Sequence, residues 1–182
     1  MKSKAQIGTI TLISFLSTVI IGTLWHFAYQ YSSNNTLIGA FAPVNESVWE
    51  HLKLIMFPAL AVSFVEFLIY GSKTQGFVAS KGIAAILGMI FVVASYYTYI
   101  GIAGNHFFIA DIIIFIFGSA ISVLGASFIR ENFKNKLNDK ITILTMICVT
   151  VLTIMFIYFT FNPPMCELFK DPISEDYGAI LY

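Results

Sequence analysis

The sequence has little charge and no excess of either sign. Only 11% of its 182 residues are Asp, Glu, Lys or Arg, and ten basic residues balance ten acidic ones, whereas a soluble globular domain carries about 25% charged residues. Because it has no basic stripe and no nucleic-acid motif, we expect no nucleic-acid partner. In contrast, 58% of the residues are hydrophobic and the mean hydropathy is +0.82. A lipid bilayer accepts that much apolar surface, which a water-soluble chain of this length could not bury.

Cysteine and the common catalytic motifs are also scarce. Cys148 lies in an apolar run and Cys166 in a polar tail, so no disulfide framework is predicted. The sequence has no phosphate-binding glycine loop, no Gly-x-Ser-x-Gly elbow and no His-Glu-x-x-His. Any function must therefore be argued from individual residues and their positions along the chain.

Five apolar runs are long enough to span a bilayer, which requires roughly 20 residues. They predict an all-α, polytopic transmembrane helix bundle that forms one integral membrane domain, 1–182, with a polar C-terminal tail, 162–182. The first run has no small-residue cleavage site after it, so we predict a retained helix rather than a signal peptide. The predicted helices cover residues 7–29, 52–70, 83–102, 107–129 and 141–161.

Basic residues predict the orientation of this bundle. Eight of the ten fall on one side of the predicted membrane, and the positive-inside rule makes that side cytoplasmic. The N-terminus is then inside and the C-terminus outside, with an aromatic belt of Trp25, Tyr29, Tyr31 and Trp49 at the outer interface. The bias towards Ile, Lys, Asn and Phe is typical of AT-rich bacterial genomes, so we predict a bacterial cytoplasmic membrane. The eight residues are Lys2, Lys4, Lys73, Lys81, Arg130, Lys134, Lys136 and Lys140.

One polar segment precedes the second apolar run. Asn45 is a good helix N-cap, so a helix is predicted to begin there and to place Glu46, Glu50 and Lys53 on one face, with His51 on the neighbouring face. Two carboxylates four residues apart suit acid–base chemistry or the binding of a cation. The alternative is a capped, salt-bridged helix start without a chemical role. The candidate catalytic residues are Glu46, Glu50 and His51.

The segment Asn45-Glu46-Ser47-Val48-Trp49-Glu50-His51-Leu52-Lys53 resembles the signature of an uncharacterised family of small bacterial multi-pass membrane proteins, classed as a domain of unknown function. The end of the first run, His26-Phe27-Ala28-Tyr29, is similar to that family as well. So is the tail, with Asn162-Pro163-Pro164, Leu168-Phe169-Lys170-Asp171-Pro172 and Tyr177-Gly178. The resemblance implies a multi-pass membrane protein and no particular activity.

The three histidines are predicted to lie in one layer of the membrane, near its outer face. Asp111 and the hydroxyl groups at the end of the third run reach a similar depth. Imidazoles with a carboxylate are the ligands of catalytic zinc sites, so a divalent metal is a candidate cofactor; a polar pocket without metal and scattered interfacial residues remain as alternatives. The candidate binding residues are His26, Asn45, Glu46, Glu50, His51, Tyr97 and Asp111. The candidate metal ligands are His26, Glu50, His51 and His106.

Glu66 is predicted to lie deep in the second helix, towards the inner face. An ionisable group within hydrocarbon costs several kcal/mol and suggests a function by default. Glu66 is either protonated or paired with Lys81 or another group near the inner interface, and it is a candidate proton relay.

Three functions are compatible with these patterns. The first is binding or transport of an unknown small solute or cation through a polar pocket on the outer side. The second is an intramembrane hydrolase, with or without metal, that acts at the outer leaflet. The third is a structural or accessory subunit that associates with a partner membrane subunit. In each case the lipid bilayer is the expected environment.

Overall fold

In the computed structural model the chain forms a bundle of helices. The structure describes residues 4–179; Lys2 and residues 180–182, which the predicted topology includes, lie outside that range. The described residues contain no strand, and two 3-10 turns, Gly71–Lys73 and Lys134–Lys136, join the longer helices. The helices are α1 (Lys4–Trp25), α2 (Ala28–Tyr31), α3 (Thr36–Gly39), α4 (Val48–Ile69), α5 (Phe77–Ala103), α6 (Phe108–Phe133) and α7 (Asp139–Phe161).

Five of these helices are long and apolar enough to cross a membrane. Their spans measure 21 to 29 residues, against the roughly 20 that a bilayer requires. Large apolar side chains are exposed along all five helices, as expected where lipid is the solvent. The predicted all-α polytopic bundle of five long helices is therefore confirmed.

The first predicted helix is too long. It was expected to continue to residue 29, but α1 ends at Trp25 and a separate turn of helix, α2, follows. At the break, the Phe27 N–H donates to the Leu24 carbonyl, three residues back, so the regular four-residue pattern is lost. The break turns the chain just after His26.

Small residues let the helices approach closely. The most extensive helix contact joins α5 and α6. A Cβ added to Gly88 would lie 2.0 Å from Ser122 Oγ and 2.5 Å from the Gly118 carbonyl oxygen. The close packing of these two helices therefore requires glycine at this position.

A proline in α4 sets the contact with α1. Pro58 has no N–H, so the Leu54 carbonyl one turn earlier loses its helical donor. That carbonyl faces Gly22 of α1, where a Cβ would lie only 2.5 Å from its oxygen. The His26 N–H donates to the Gly22 carbonyl at 3.1 Å. The Gly22 contact thus lies one helical turn before His26.

The C-terminal tail folds back over one end of the bundle, here called the tail end. The Leu168 carbonyl accepts the Trp49 N–H at 2.9 Å, and the Ala179 N–H donates to the Thr160 carbonyl at 2.8 Å. Trp49 is buried rather than in an aromatic belt: its ring centroid lies 4.6 Å from that of Phe156 and 4.8 Å from that of Phe169. The belt prediction is wrong for Trp49 because the tail covers it.

Candidate functional site

Three side chains meet at the tail end of the bundle. His26 Nε2 lies 3.6 Å from Glu46 Oε1, and His51 Nε2 lies 3.4 Å from Glu46 Oε2. The two imidazole centroids are 5.2 Å apart. One potential ligand atom from each residue lies within 4.8 Å of the other two. We call these residues, His26, Glu46 and His51, the histidine–glutamate cluster.

Each member of this cluster is positioned by a different part of the chain. His26 follows α1, and His51 lies in the first turn of α4. His51 Nδ1 lies 3.0 Å from the Ser47 carbonyl oxygen. Because a carbonyl only accepts, this contact places a proton on Nδ1, and the Nε2 lone pair of the neutral tautomer is then free to bind a ligand. Metal-binding histidines are oriented by the same kind of bond on their other nitrogen.

Glu46 lies in the loop before α4, which corrects the predicted start of that helix. The N-cap is Ser47, whose Oγ accepts the Glu50 N–H at 3.3 Å. Asn45 does not cap the helix directly; its Oδ1 accepts the Ser47 N–H at 3.0 Å. Because Glu46 precedes the helix, it does not share a helical face with Glu50 and Lys53. It turns towards the histidines instead.

Asp171 of the tail holds Glu46 in this place. Its Oδ2 accepts the Glu46 N–H at 3.0 Å, and its other oxygen accepts the N–H groups of Ile173 and Ser174. Burial alone raises the pKa of Asp171, but these backbone donors outweigh it, so the pKa lies below its ordinary value of 3.8. The carboxylate is therefore charged at neutral pH and remains a strong acceptor.

Glu50 was predicted to join the histidines, and the structure places it elsewhere. Its carboxylate is bound by Lys53 Nζ at 2.7 Å, by Thr160 Oγ1 at 3.1 Å and by the Val44 N–H at 3.0 Å. Lys53 Nζ also donates to the Gly39 carbonyl at 2.9 Å. Both charged side chains are almost completely buried, at 2% and 0% exposure. We call Glu50, Lys53 and Thr160 the lysine-paired cluster.

A cavity of about 510 Å³ lies beside the histidine–glutamate cluster. His106, just before α6, and Asp111, in its first turn, line the same cavity but are a separate pair, with His106 Nδ1 3.6 Å from Asp111 Oδ2. The Tyr99 hydroxyl donates to Asp111 and fixes its carboxylate. Most of the remaining wall is apolar. It includes Leu54, Ile55, Val92, Ile112, Ile114 and Phe115.

Besides Glu50, two predicted binding residues do not line this cavity. Tyr96, and not Tyr97, lines the cavity. Tyr96 follows the cavity residue Val92 by four positions, so the two lie on the same face of α5, a spacing that could have identified Tyr96. The side chain of Asn45 is engaged in the loop, where its Nδ2 donates to the Gly178 carbonyl at 3.2 Å. Asp171 stands in the tail motif and Tyr99 among the hydroxyl groups at the end of the third run, but neither of them was predicted to have a role in the site.

The electrostatics favour the neutral imidazole of His26. Burial lowers the pKa of His26 below its ordinary value of 6.5, nearby His51 lowers it further, and Glu46 acts in the opposite direction. A neutral imidazole is the form that binds metal ions. His26 Nδ1 is buried without a hydrogen-bond partner among the described residues.

Glu66 lies away from the cavity. Its Oε1 accepts the Ser14 hydroxyl at 2.7 Å, and its other oxygen pairs with Lys81. The predicted pairing with Lys81 is confirmed, whereas the role of proton relay remains a prediction. Glu66 and Lys81 form a buried ion pair between α4 and α5.

The fold and these residues together define a multi-pass helical membrane protein with a polar cluster beside a largely apolar cavity. A model of a family of unknown function (DUF6512) matches residues 1–179. The chain belongs to that family, which confirms the expected membership of an uncharacterised family. No curated protein and no solved structure matches the chain.

Proposed function

We propose that this protein binds a divalent transition-metal ion, best suited to Zn²⁺, through His26, Glu46 and His51. The convergence of their three potential ligand atoms within 4.8 Å carries the proposal. Two imidazoles and one carboxylate are a ligand set of catalytic zinc sites, which keep a fourth position open. With metal–ligand distances near 2.1 Å, ligands of a tetrahedral zinc lie about 3.4 Å apart. The histidine nitrogens lie 3.6 and 3.4 Å from the two different oxygens of Glu46, and the three potential ligand atoms lie within 4.8 Å of one another, so a small inward movement of the side chains would complete that geometry.

The charge of the cluster supports the same conclusion. Among the side chains that the structure describes, those of the two histidines are within 4 Å of the Glu46 carboxylate, and no Lys or Arg forms a salt bridge with it. Its side chain is 37% exposed, so a cation can reach it. A carboxylate between two neutral imidazoles leaves one negative charge that a metal ion would balance.

The basic residues support an outward position for this site. Lys73, Lys134 and Lys136 lie in the 3-10 turns that join α4 to α5 and α6 to α7, at the end of the bundle opposite the tail. The positive-inside rule assigns such turns to the cytoplasm. The site would then take its cation from outside a cell membrane, in agreement with a binding or transport role.

Zinc binding to the purified protein tests this proposal. We expect metal-free protein in detergent to bind one Zn²⁺ per chain in calorimetry, and the affinity of His51→Ala to fall at least tenfold. His106→Ala is the matched control, since it removes a histidine from the same cavity but outside the cluster, and it should bind zinc normally. An absence of zinc binding, or equal affinity in His51→Ala, would overturn the proposal.

A metal-dependent hydrolase is the second candidate, because the His106–Asp111 pair lines the same cavity as the proposed ligands. A bound metal would supply Lewis-acid chemistry there. His106, oriented by Asp111, could transfer a proton to a leaving group. Turnover of an ester lipid by the wild type, lost in His106→Ala while zinc is retained, would favour catalysis. Zinc binding without any turnover would favour binding or transport.

A further inference from the structure

The cavity is much larger than the ion proposed to bind at its edge. A water molecule occupies about 30 Å³ in the liquid, so an ion with a few waters would fill only a small part of 510 Å³. The volume lies within the range of about 300–1,000 Å³ that is typical of sites for small organic ligands. The cavity therefore has room for an organic molecule beside the ion.

The apolar walls of the cavity favour a ligand with a large apolar part. Ile55 and Val92 are buried in the helix core, and Ile114 and Phe115 pack against that core. Water would find few partners along these side chains, since a buried water typically makes about three hydrogen bonds. A hydrocarbon chain can contact these side chains without giving up any hydrogen bond.

Exposed apolar residues form part of the cavity lining. Phe108 is 75% exposed and Ile173 is 72% exposed, and Phe27 and Ile112 are also exposed apolar residues. Phe27 follows α1 and Phe108 begins α6, two helices that contact each other. An apolar ligand could thus enter beside these side chains without crossing a polar barrier.

The polar end of the cavity determines the head group. Glu46 and Asp111 contribute two negative charges, which would repel an anionic group when no cation is bound. A divalent ion in the histidine–glutamate cluster would balance both charges and offer an open coordination position. An anionic oxygen would then be drawn to that open position, whereas a protonated amine has no lone pair with which to bind the ion.

We infer that the cavity binds a single-chain amphiphile, with its acyl chain along the apolar wall and its anionic carboxylate or phosphate head at the metal. This inference rests on the proposed zinc site. The shared chemistry is an acyl chain with an anionic head, and a free fatty acid and a lysophospholipid are the two sources that the experiment compares.

Photolabelling of the full chain tests the inference. Zinc-loaded protein in detergent is irradiated with diazirine-bearing palmitate or diazirine-bearing lysophosphatidylglycerol, and the labelled residues are mapped by mass spectrometry. We expect label on the cavity wall, reduced at least fivefold by a chelator and in His51→Ala. The better-labelling probe identifies the source. A diazirine-bearing alkylamine should not label the wall in the presence of zinc.

A pair of neighbouring substitutions separates the cavity from the lipid-facing surface. Ile112→Trp fills the cavity and should reduce labelling at least fivefold while zinc, measured by mass spectrometry, remains bound. Ile113→Trp is the control, because Ile113 is similarly exposed but does not line the cavity. Should Ile112→Trp fail to fold, Ile112→Phe provides a milder filling of the same space.

The outcomes distinguish the two proposals. If the wild type binds no zinc, the proposed function fails and this inference fails with it. If the wild type binds zinc but the wall is not labelled, or Ile112→Trp labels as well as Ile113→Trp, only the amphiphile is ruled out. Labelling that is insensitive to the chelator, or stronger with the alkylamine, also overturns the inference.

Discussion

Glu46 and Glu50 are four residues apart in one segment, and their surroundings are opposite. Glu50 is 2% exposed, and an ammonium, a hydroxyl and a backbone N–H bind its carboxylate. Glu46 is 37% exposed, faces two imidazoles and borders a cavity. A carboxylate whose charge is fully compensated contributes to the fold. A carboxylate that faces a cavity and has no cationic partner is available to bind a ligand.

The contrast arises from where each residue sits relative to the start of α4. Glu50 lies inside the first turn and points towards Lys53, one turn further along the helix. Glu46 lies before the N-cap and is held through its backbone N–H by Asp171. The tail therefore separates two carboxylates that an uninterrupted helix from Asn45 would place on one face.

The largest effect is expected from truncation of the compensated carboxylate. Glu50→Ala leaves the Lys53 ammonium buried without its counter-ion, and breaking a buried ion pair in this way costs about 3–5 kcal/mol. We expect a loss of that size in the free energy of unfolding, measured by titration with SDS in mixed micelles. Glu46→Ala is the matched control and should change it by less than about 0.5 kcal/mol, as for most surface substitutions. Similar losses in both variants would contradict the distinction between the two clusters.

The second-largest effect on stability is expected at Gly22, where α1 packs against α4. The Cβ of Gly22→Ala would lie 2.5 Å from the Leu54 carbonyl oxygen, which is backbone and cannot yield easily. Overpacking of this kind costs about 1–3 kcal/mol. Because His26 follows Gly22 by one turn, the shift should also weaken zinc binding.

Gly8→Ala is the control on the same helix, because nothing lies within 4 Å of the added Cβ. It should leave both the unfolding free energy and the zinc affinity nearly unchanged. Normal zinc affinity in Gly22→Ala would show that the contact between α1 and α4 does not position His26.

The long helices could be predicted from the sequence because length and hydropathy alone determine them. The cluster at the tail end could be predicted only in part. The depth of His26 and His51 in the membrane follows from their positions along the predicted helices. The direction in which the Glu46 side chain points depends on Asp171, which is far away in the sequence. Glu50 was assigned to the wrong cluster because the helix was predicted to begin at Asn45, about one turn before its actual start at Val48. A helix from Asn45 would place Glu46 and Glu50 on one face. Such errors are expected where a tail contact overrides local spacing.

The smallest effect on stability should come from protonation of His26 in the histidine–glutamate cluster. The pKa of His26 lies below 6.5, first because of burial and then because of His51. As pH falls through about 6.5, the unfolded chain takes up a proton that the folded chain resists, so stability falls. In the presence of a chelator, the wild type should therefore lose more stability than His26→Gln between pH 8 and pH 5.5 in SDS titrations. This loss should be smaller than that caused by Glu50→Ala, since His26 is only partly buried. The same pH dependence in both proteins would mean that His26 titrates as it does in the unfolded chain, and that the cluster does not favour the neutral imidazole a metal requires.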